Sequence, residues 1–529
     1  MPWLKTVWSF SSIEIEGGDS SGLPMTVRID MERRRMKFKA NVILIVSALL
    51  LFAQLMPVTY GQRAAKAQEE QAQSPRRDSH VIMISIDGLI PEYYTAPRAL
   101  GLRVPNMTRM KLNGAYADGV EGVYPTVTYP SHTTMATGVR PEAHGIVQNR
   151  VFEPPTEPQT KAWYWFAKSL KAETLWTLAR KQGLSTAAVG WPVTAGAEID
   201  YNVPEIWDPA EQPITGKRMA EYATPGLIKS AIGSRDLKGD DFRTAVSEFI
   251  IGAYKPNLML IHLIELDEVH HGFGPRTPQA LQTAEKEDAF IGRIVGAAEK
   301  AGIKDATTFL IVSDHGFAAI EKKYAPNVRL VEEKLITLDK SGKATSWKAA
   351  AWPAGGSCAI VLHDPSDKET AEKVVQIFSK TARKEKGPLN RILVRKELDN
   401  LGAIPEAVLM LEAASGYSFD DALTGPEVQD SGAHYKGTHG YLPSRAEMRS
   451  SLIVFGQGAR TGARLALARM IDIGPTAAGI LGLTLEDAEG RPIVELLKDG
   501  VAPKPSPSKK GGKKTRPSNT DKSTGEAQP

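Results

Sequence analysis

Five short apolar runs set the limits on what this chain can fold into. They occupy residues 81–86, 187–190, 258–264, 309–313 and 451–455, and turn-forming residues bound each one. They are too short for core helices and too uniformly apolar for strands with one wet face. Runs of this kind suit strands buried on both faces, which means a largely parallel sheet. Helical spacing appears between them at 174–183 and 284–302. Strands alternating with helices predict an α/β fold with helices on both faces of the sheet. There is no internal repeat.

A chain of 529 residues is too long for one small core. The stretch 324–434 breaks the α/β rhythm. Its short strand candidates, 358–362, 391–394 and 407–412, surround one helix at 367–382, which predicts a small α+β unit inserted as a cap. The main domain is then expected at 80–323 and 435–498. Ahead of it, a basic cluster at 31–39 precedes an apolar stretch and small residues, so 36–67 reads as a signal peptide or a membrane anchor working through residues 40–58. Residues 1–35 form a doubtful extension, with Met31 or Met36 the expected start, and 68–79 reads as a linker. An exported protein, periplasmic or secreted, is expected. Residues 499–529 are rich in Lys, Pro, Ser and Gly and read as a disordered basic tail.

The net charge of +4 is concentrated at the two ends, which argues against specific nucleic-acid binding. Cys358 is the only cysteine, so there is no internal disulfide and no cysteine-based zinc site.

In α/β sheets, chemistry gathers beyond the C-terminal ends of the strands. Asp87 follows the first run; Asp267 and His271 follow the run at 258–264. Asp314 and His315 follow the run at 309–313, and His439 lies in Gly437-Thr-His-Gly440, a loop ahead of the last run. Singly, each reads as a turn former, a cap or an exposed side chain. Together, three Asp and three His suit two sites of mixed carboxylate and imidazole ligands for zinc or a similar divalent metal. His270 beside His271 leaves open which of the two is the ligand. The segment 124–138 carries Pro125 and Pro130, which predict an extended lead, and a helix beginning at Ser131. Thr128 then stands just before that helix, where backbone N–H groups favour an anion and a metal could favour the alkoxide.

Six ordered segments carry a resemblance. Ile84-Ser-Ile-Asp-Gly88, Thr126-Val-Thr-Tyr-Pro-Ser-His132, His144-Gly-Ile-Val-Gln-Asn149, Asp267-x-x-x-His271-x-x-Gly-Pro275, Ser313-Asp-His-Gly316 and Gly437-Thr-His-Gly440 resemble the type I phosphodiesterase / nucleotide pyrophosphatase branch of the alkaline phosphatase superfamily. The resemblance covers about residues 80–490. It implies an alkaline phosphatase-like three-layer α/β/α sandwich with a mixed, mostly parallel sheet. It also implies two zinc ions, one on Asp87, Asp314 and His315 and the other on Asp267, His271 and His439. Thr128 would be the nucleophile, and the Asn149 amide would bind a phosphate oxygen. The family spacing selects His271 over His270. Ser131 departs from the Asn found in many animal members and is expected to cap the helix.

No Lys-x-Arg pair of the kind some monoesterases use occurs between Asn149 and Gly316, which favours a phosphodiester or nucleotide pyrophosphate substrate. A monoesterase or phosphonate hydrolase of the same superfamily is the enzymatic alternative, and a metal-stabilised surface binding protein the non-enzymatic one. Trp163, Tyr164, Trp165 and Tyr201 could stack on a nucleobase or pack internally.

Overall fold

The computed structural model describes residues 75–209 and 216–501. The expected extension at 1–35, the expected signal or anchor segment at 36–67 and the expected tail from Ala502 lie outside the described residues. The strands run β1 (His80–Ile86), β2 (Ala115–Ala117), β3 (Thr186–Val189), β4 (Tyr201–Val203), β5 (Leu258–Leu263) and β6 (Thr307–Val312). A second group follows: β7 (Ala318–Tyr324), β8 (Ala349–Ala354), β9 (Ser357–Leu362), β10 (Leu389–Val394) and β11 (Ala407–Ala413). The chain then returns with β12 (Leu452–Gly456) and β13 (Arg464–Leu465). The helices that matter are α1 (Pro105–Asn113), α2 (Thr128–Thr137), α3 (Leu175–Lys181), α4 (Gly239–Tyr254), α5 (Glu265–Phe273), α6 (Pro278–Lys300), α7 (Lys368–Ala382) and α8 (Ile473–Ile480).

The central sheet has eight strands in the order β13-β2-β12-β6-β1-β5-β3-β4. From β6 to β4 every pair is parallel, while β12 runs antiparallel to both β6 and β2. All five apolar runs are strands of this mixed, mostly parallel sheet. The reason is visible in β1, whose side chains alternate between two cores. Val81 and Met83 pack with α2, α3 and α8 on one side. Ile82, Ile84 and Ile86 pack with α1, α4 and α6 on the other. Each such Ile or Val, hidden on either face, contributes about 1.5–3 kcal/mol. The three-layer sandwich follows from burying both faces.

A four-stranded antiparallel sheet, β8-β9-β11-β10, lies between β6 and β12 in sequence and carries α7. It has its own core, which reaches from Ala318 to Phe419 and takes in Tyr441 and Met448. Asp367 caps α7 by accepting the Thr370 N–H at 2.9 Å, so the helix opens one residue after the sequence-based start. A further cluster ties the unit to the main body, since Tyr124 and Val147 pack with Trp352, Ala359 and Leu393.

Three expectations shift. The helix read at 284–302 begins at Pro278, because Thr277 caps it and Pro278 occupies a first-turn position where a missing N–H costs nothing. Part of the expected linker is anchored, not free. The Arg76 N–H reaches the Leu481 carbonyl at 2.9 Å, and the Asn257 amide holds the carbonyls of Arg77 and Ser79. The Gly437-Thr-His-Gly440 segment is no loose loop. Gly437 and Thr438 pair with Ala319 and Ala318 of β7, and His439 is buried.

Candidate metal centre and active site

Helix α2 is buried along its whole length although its sequence is largely polar. Its threonines make that possible by bonding back along the helix. Thr133 Oγ1 donates to the Tyr129 carbonyl and Thr137 Oγ1 to the Thr133 carbonyl, each at 2.8 Å. The helix starts at Thr128, with Val127 extended before it, three residues earlier than expected. Pro130 fits because it stands in the first turn, where its ring needs no donor. Ser131 is therefore inside the helix and does not cap it; its hydroxyl is buried without a hydrogen-bond partner among the described residues. Thr128 does not cap the helix either, so its hydroxyl is not tied to the helix backbone. Its Oγ1 lies 3.5 Å from His315 Nε2.

The six proposed ligands converge in front of Thr128. His315 Nε2 is 3.1 Å from Asp314 Oδ2 and 3.2 Å from Asp87 Oδ1. Asp267 lies 3.4 Å from His271 Nε2 through Oδ2 and 3.7 Å from His439 Nε2 through Oδ1. The His315 and His439 rings stack at 3.5 Å, so the two ligand groups adjoin. One set of ligand atoms within 4.8 Å joins Asp267, His271 and His439, and another joins Asp87, Asp267 and His315. Gly88 turns the chain after Asp87 at φ +68°, and its N–H donates to Asp314 Oδ1 at 3.1 Å, locking the ends of β1 and β6 together.

Two details fit this cluster to metal. Asp87 Oδ1, Asp267 Oδ1 and Asp314 Oδ2 are all buried with no hydrogen-bond partner among the described residues. All three histidines have Nδ1 against a backbone carbonyl: His271 to Gly437 at 2.9 Å, His315 to Gly316 at 3.1 Å and His439 to Thr126 at 3.0 Å. A carbonyl only accepts, so Nδ1 carries the hydrogen and Nε2 presents its lone pair to the cluster. Burial, followed by the neighbouring carboxylates, pushes Asp87 and Asp267 well above the usual carboxylate range. Burial likewise holds His315 and His439 well below the ordinary histidine value, and His271 at about 4. Neutral imidazoles and crowded carboxylates are the donor set a divalent cation needs.

The structure separates the two adjacent histidines. His270 turns away from the cluster, with Nε2 3.0 Å from the Tyr93 hydroxyl, and only His271 faces Asp267. Asn149 accepts the Tyr129 N–H at 2.8 Å through Oδ1, so its amide N–H is what it can offer a ligand. That bond also uses one of the helix N–H groups expected for an anion. The cluster opens into a cleft of about 830 Å³ between the main body and the inserted unit, lined by Asn149, Trp163, His271, Trp352, Phe419 and His439. Of the four aromatic candidates only Trp163 lines it. Trp165 is buried against Trp207, Tyr164 is half-buried in the same aromatic cluster, and Tyr201 stacks on Tyr254 at the start of edge strand β4.

Sequence reasoning missed a buried bridge behind the cluster. His262 Nε2 lies 3.1 Å from Asp87 Oδ2, and its Nδ1 lies 2.9 Å from Glu205 Oε2. Glu205 Oε1 accepts the Tyr129 hydroxyl at 3.0 Å. A histidine in the middle of an otherwise apolar strand was the available signal, because such a residue must find polar partners. Glu205 carried no signal at all.

The sequence profile of the type I phosphodiesterase / nucleotide pyrophosphatase family matches residues 81–442. The chain belongs to that family. Human ectonucleotide pyrophosphatase/phosphodiesterase family member 1 is 24% identical to this family member over 248 residues, 44% of this chain and 23% of the human protein. An uncharacterized pyrophosphatase/phosphodiesterase of Schizosaccharomyces pombe is 26% identical over 287 residues, 53% of this chain and 51% of that one. The matched region thus spans about a quarter to a half of these curated relatives' length. Murine ectonucleotide pyrophosphatase/phosphodiesterase 5, solved as an inactive threonine-to-alanine variant in complex with AMP, superposes with a TM-score of 0.55 at 18% identity. It covers 79% of this chain and all of that one, and shares the fold.

Proposed function

We propose that this family member is a two-metal hydrolase that cleaves phosphodiester or nucleotide pyrophosphate bonds through Thr128. The observation that carries the reading is the set of three Asp oxygens, without a hydrogen-bond partner among the described residues, facing three histidines held with Nε2 inward, next to the Thr128 hydroxyl 3.5 Å from His315 Nε2. Two divalent ions, with zinc the best match to this mixed donor set, would be held by Asp87, Asp314 and His315 and by Asp267, His271 and His439, and would supply charge neutralisation and a more acidic nucleophile. Thr128 Oγ1 attacks phosphorus in line with the leaving oxygen, forming one P–O bond as the other breaks. The Asn149 amide donates to a non-bridging oxygen as charge develops there. Water then releases the phosphoryl group and restores the threonine; two inversions give net retention at phosphorus. The cleft runs well past the cluster and carries Trp163 on its wall, which leaves room for the second ester group of a diester and a flat surface for a base. The likeness to pyrophosphatase/phosphodiesterases supports the same substrate class. We place the enzyme outside the cytoplasm, on the signal-like character of residues 36–67.

The test is a rate comparison between a nitrophenyl monoester and a bis-nitrophenyl diester, on protein of measured zinc content. The diester should be preferred. Thr128→Ala should lose at least about a thousandfold in turnover with its metal content retained. Normal turnover in that variant would sink the nucleophile assignment, and a preference for the monoester would sink the diester reading.

A further inference from the structure

Away from the proposed active site, three helices bring carboxylates together. Asp240 lies in the first turn of α4, Glu265 opens α5, and Glu287 projects from α6. One oxygen of each lies within 4.8 Å of the others. Asp240 and Glu265 cap each other's helices. Asp240 Oδ2 accepts the N–H groups of Ile264 at 2.8 Å and Glu265 at 2.7 Å, and Glu265 Oε1 accepts the Asp240 N–H at 3.0 Å. Arg243 also donates to Asp240 Oδ1 at 2.9 Å, and Lys286 to Glu265 Oε2 at 2.6 Å.

Glu287 has no such arrangement. Its side chain is fully buried, and neither Oε1 nor Oε2 has a hydrogen-bond partner among the described residues. A bare carboxylate in such a place is too unfavourable to persist unless a cation or a proton sits between it and the carboxylates it faces. Burial and the facing Asp240 carboxyl push the Glu287 carboxyl well above its usual range, so a cation would compete there with a proton.

We propose that Asp240, Glu265 and Glu287 form a separate binding site for a hard divalent cation, calcium by preference. The donors are all oxygen, unlike the half-imidazole cluster at Thr128. Calcium ligands stand about 2.3–2.6 Å from the ion, which places opposed oxygens up to about 5 Å apart and accommodates the spacing here. An open surface cleft lined by Gly239, Glu265, Glu268 and Lys286 touches the group at Glu265, the side from which water ligands would enter. The ion would fasten the first turn of α5 to α4 and α6. That helix goes on to carry Asp267 and His271, so the site would steady one of the proposed active-site ligand pairs. This consequence rests on the two-metal reading, whereas the binding itself does not.

The experiment uses full-length protein stripped with a chelator, reloaded with zinc and titrated with calcium chloride by calorimetry and thermal melting. The wild type should show one calcium site and a melting temperature raised by roughly 3 °C at a hundredfold excess over the dissociation constant. Glu287→Gln should lose both the heat and the shift while keeping its zinc and its calcium-free turnover, and Glu265→Gln should weaken binding at least tenfold. Calcium binding undiminished in both variants would overturn the proposal. So would a wild type without calcium heat, together with a Glu287→Gln protein that melts as high or higher; that pair of results assigns a shared proton to the group. Because the calcium signal is read without substrate, a wild type that binds calcium but leaves diesters intact supports this site and counts only against the hydrolytic reading.

Discussion

Replacing His262 by Phe keeps a ring of similar size in a fully buried place and removes both ring nitrogens. Two carboxylate oxygens then lose their partner: Asp87 Oδ2, now 3.1 Å from Nε2, and Glu205 Oε2, now 2.9 Å from Nδ1. Each buried group left unpaired costs about 1–3 kcal/mol, and breaking a buried charge-bearing pair costs about 3–5 kcal/mol in all. A loss of about 4 kcal/mol in unfolding free energy is therefore expected. The second effect is local. With Oδ2 held by His262, it is Oδ1 of Asp87 that faces His315 at 3.2 Å. Releasing Oδ2 lets the carboxylate rotate, and losing a partner of this kind lowers metal affinity about 10–100-fold. Glu205→Leu should cost less, because His262 Nδ1 keeps the Gly190 carbonyl at 3.1 Å and only the Tyr129 hydroxyl is left without its partner. The double variant should come out about 1–3 kcal/mol milder than the sum of the singles, since no Glu205 carboxylate remains to be stranded by the loss of His262. Urea unfolding and zinc competition with a chromophoric chelator read the two effects separately. Additive single costs with unchanged zinc affinity would refute the idea that the His262–Glu205 bridge positions Asp87.

Other outcomes follow from single contacts. Gly440→Ala would place a Cβ 1.9 Å from the Ala354 carbonyl oxygen at φ +94°, so it should destabilise by a few kcal/mol and release zinc through the adjoining His439, read by melting and metal analysis. Asn149→Ala should lower kcat/KM on a diester about 10²–10³-fold with zinc content unchanged; a loss of zinc would mean that Asn149 supports the cluster instead of the substrate. His144 is buried far enough to push its pKa down to about 3, from 6.5. Between those values the unfolded chain binds a proton that the folded one does not, so this residue withdraws about 1.4 kcal/mol of stability per pH unit as pH falls from 6.5 towards 3. Denaturant titrations at pH 7 and pH 5 should show a smaller acid loss in His144→Gln than in the wild type.

Much of this molecule was legible before any tertiary contact was known. The five apolar runs had to be strands, because short uninterrupted apolar segments need cover on both faces. Their order placed Asp87, Asp267, Asp314 and His315 just past strand ends, and the motif order added Thr128, Asn149, His271 and His439. Helix starts were less legible. Pro130 suggested a break, yet the helix begins ahead of it, and whether a proline falls within a first turn is set by how the segment packs. Trp165 and Tyr201 could not be told from Trp163, because composition does not say which side of an aromatic faces a cleft. The bridge from Asp87 through His262 and Glu205 to Tyr129 joins residues far apart along the chain, and so does the meeting of Asp240, Glu265 and Glu287. Local periodicity reports which face of an element is apolar. It holds no information about which polar groups on separate elements end up within a hydrogen bond of one another. The residues proposed as ligands and as nucleophile were thus legible in the chain. Which nitrogen of each histidine turns inward, which oxygen of Asp87 stays free, and what holds them so were decided only when the sheet and its helices closed around them.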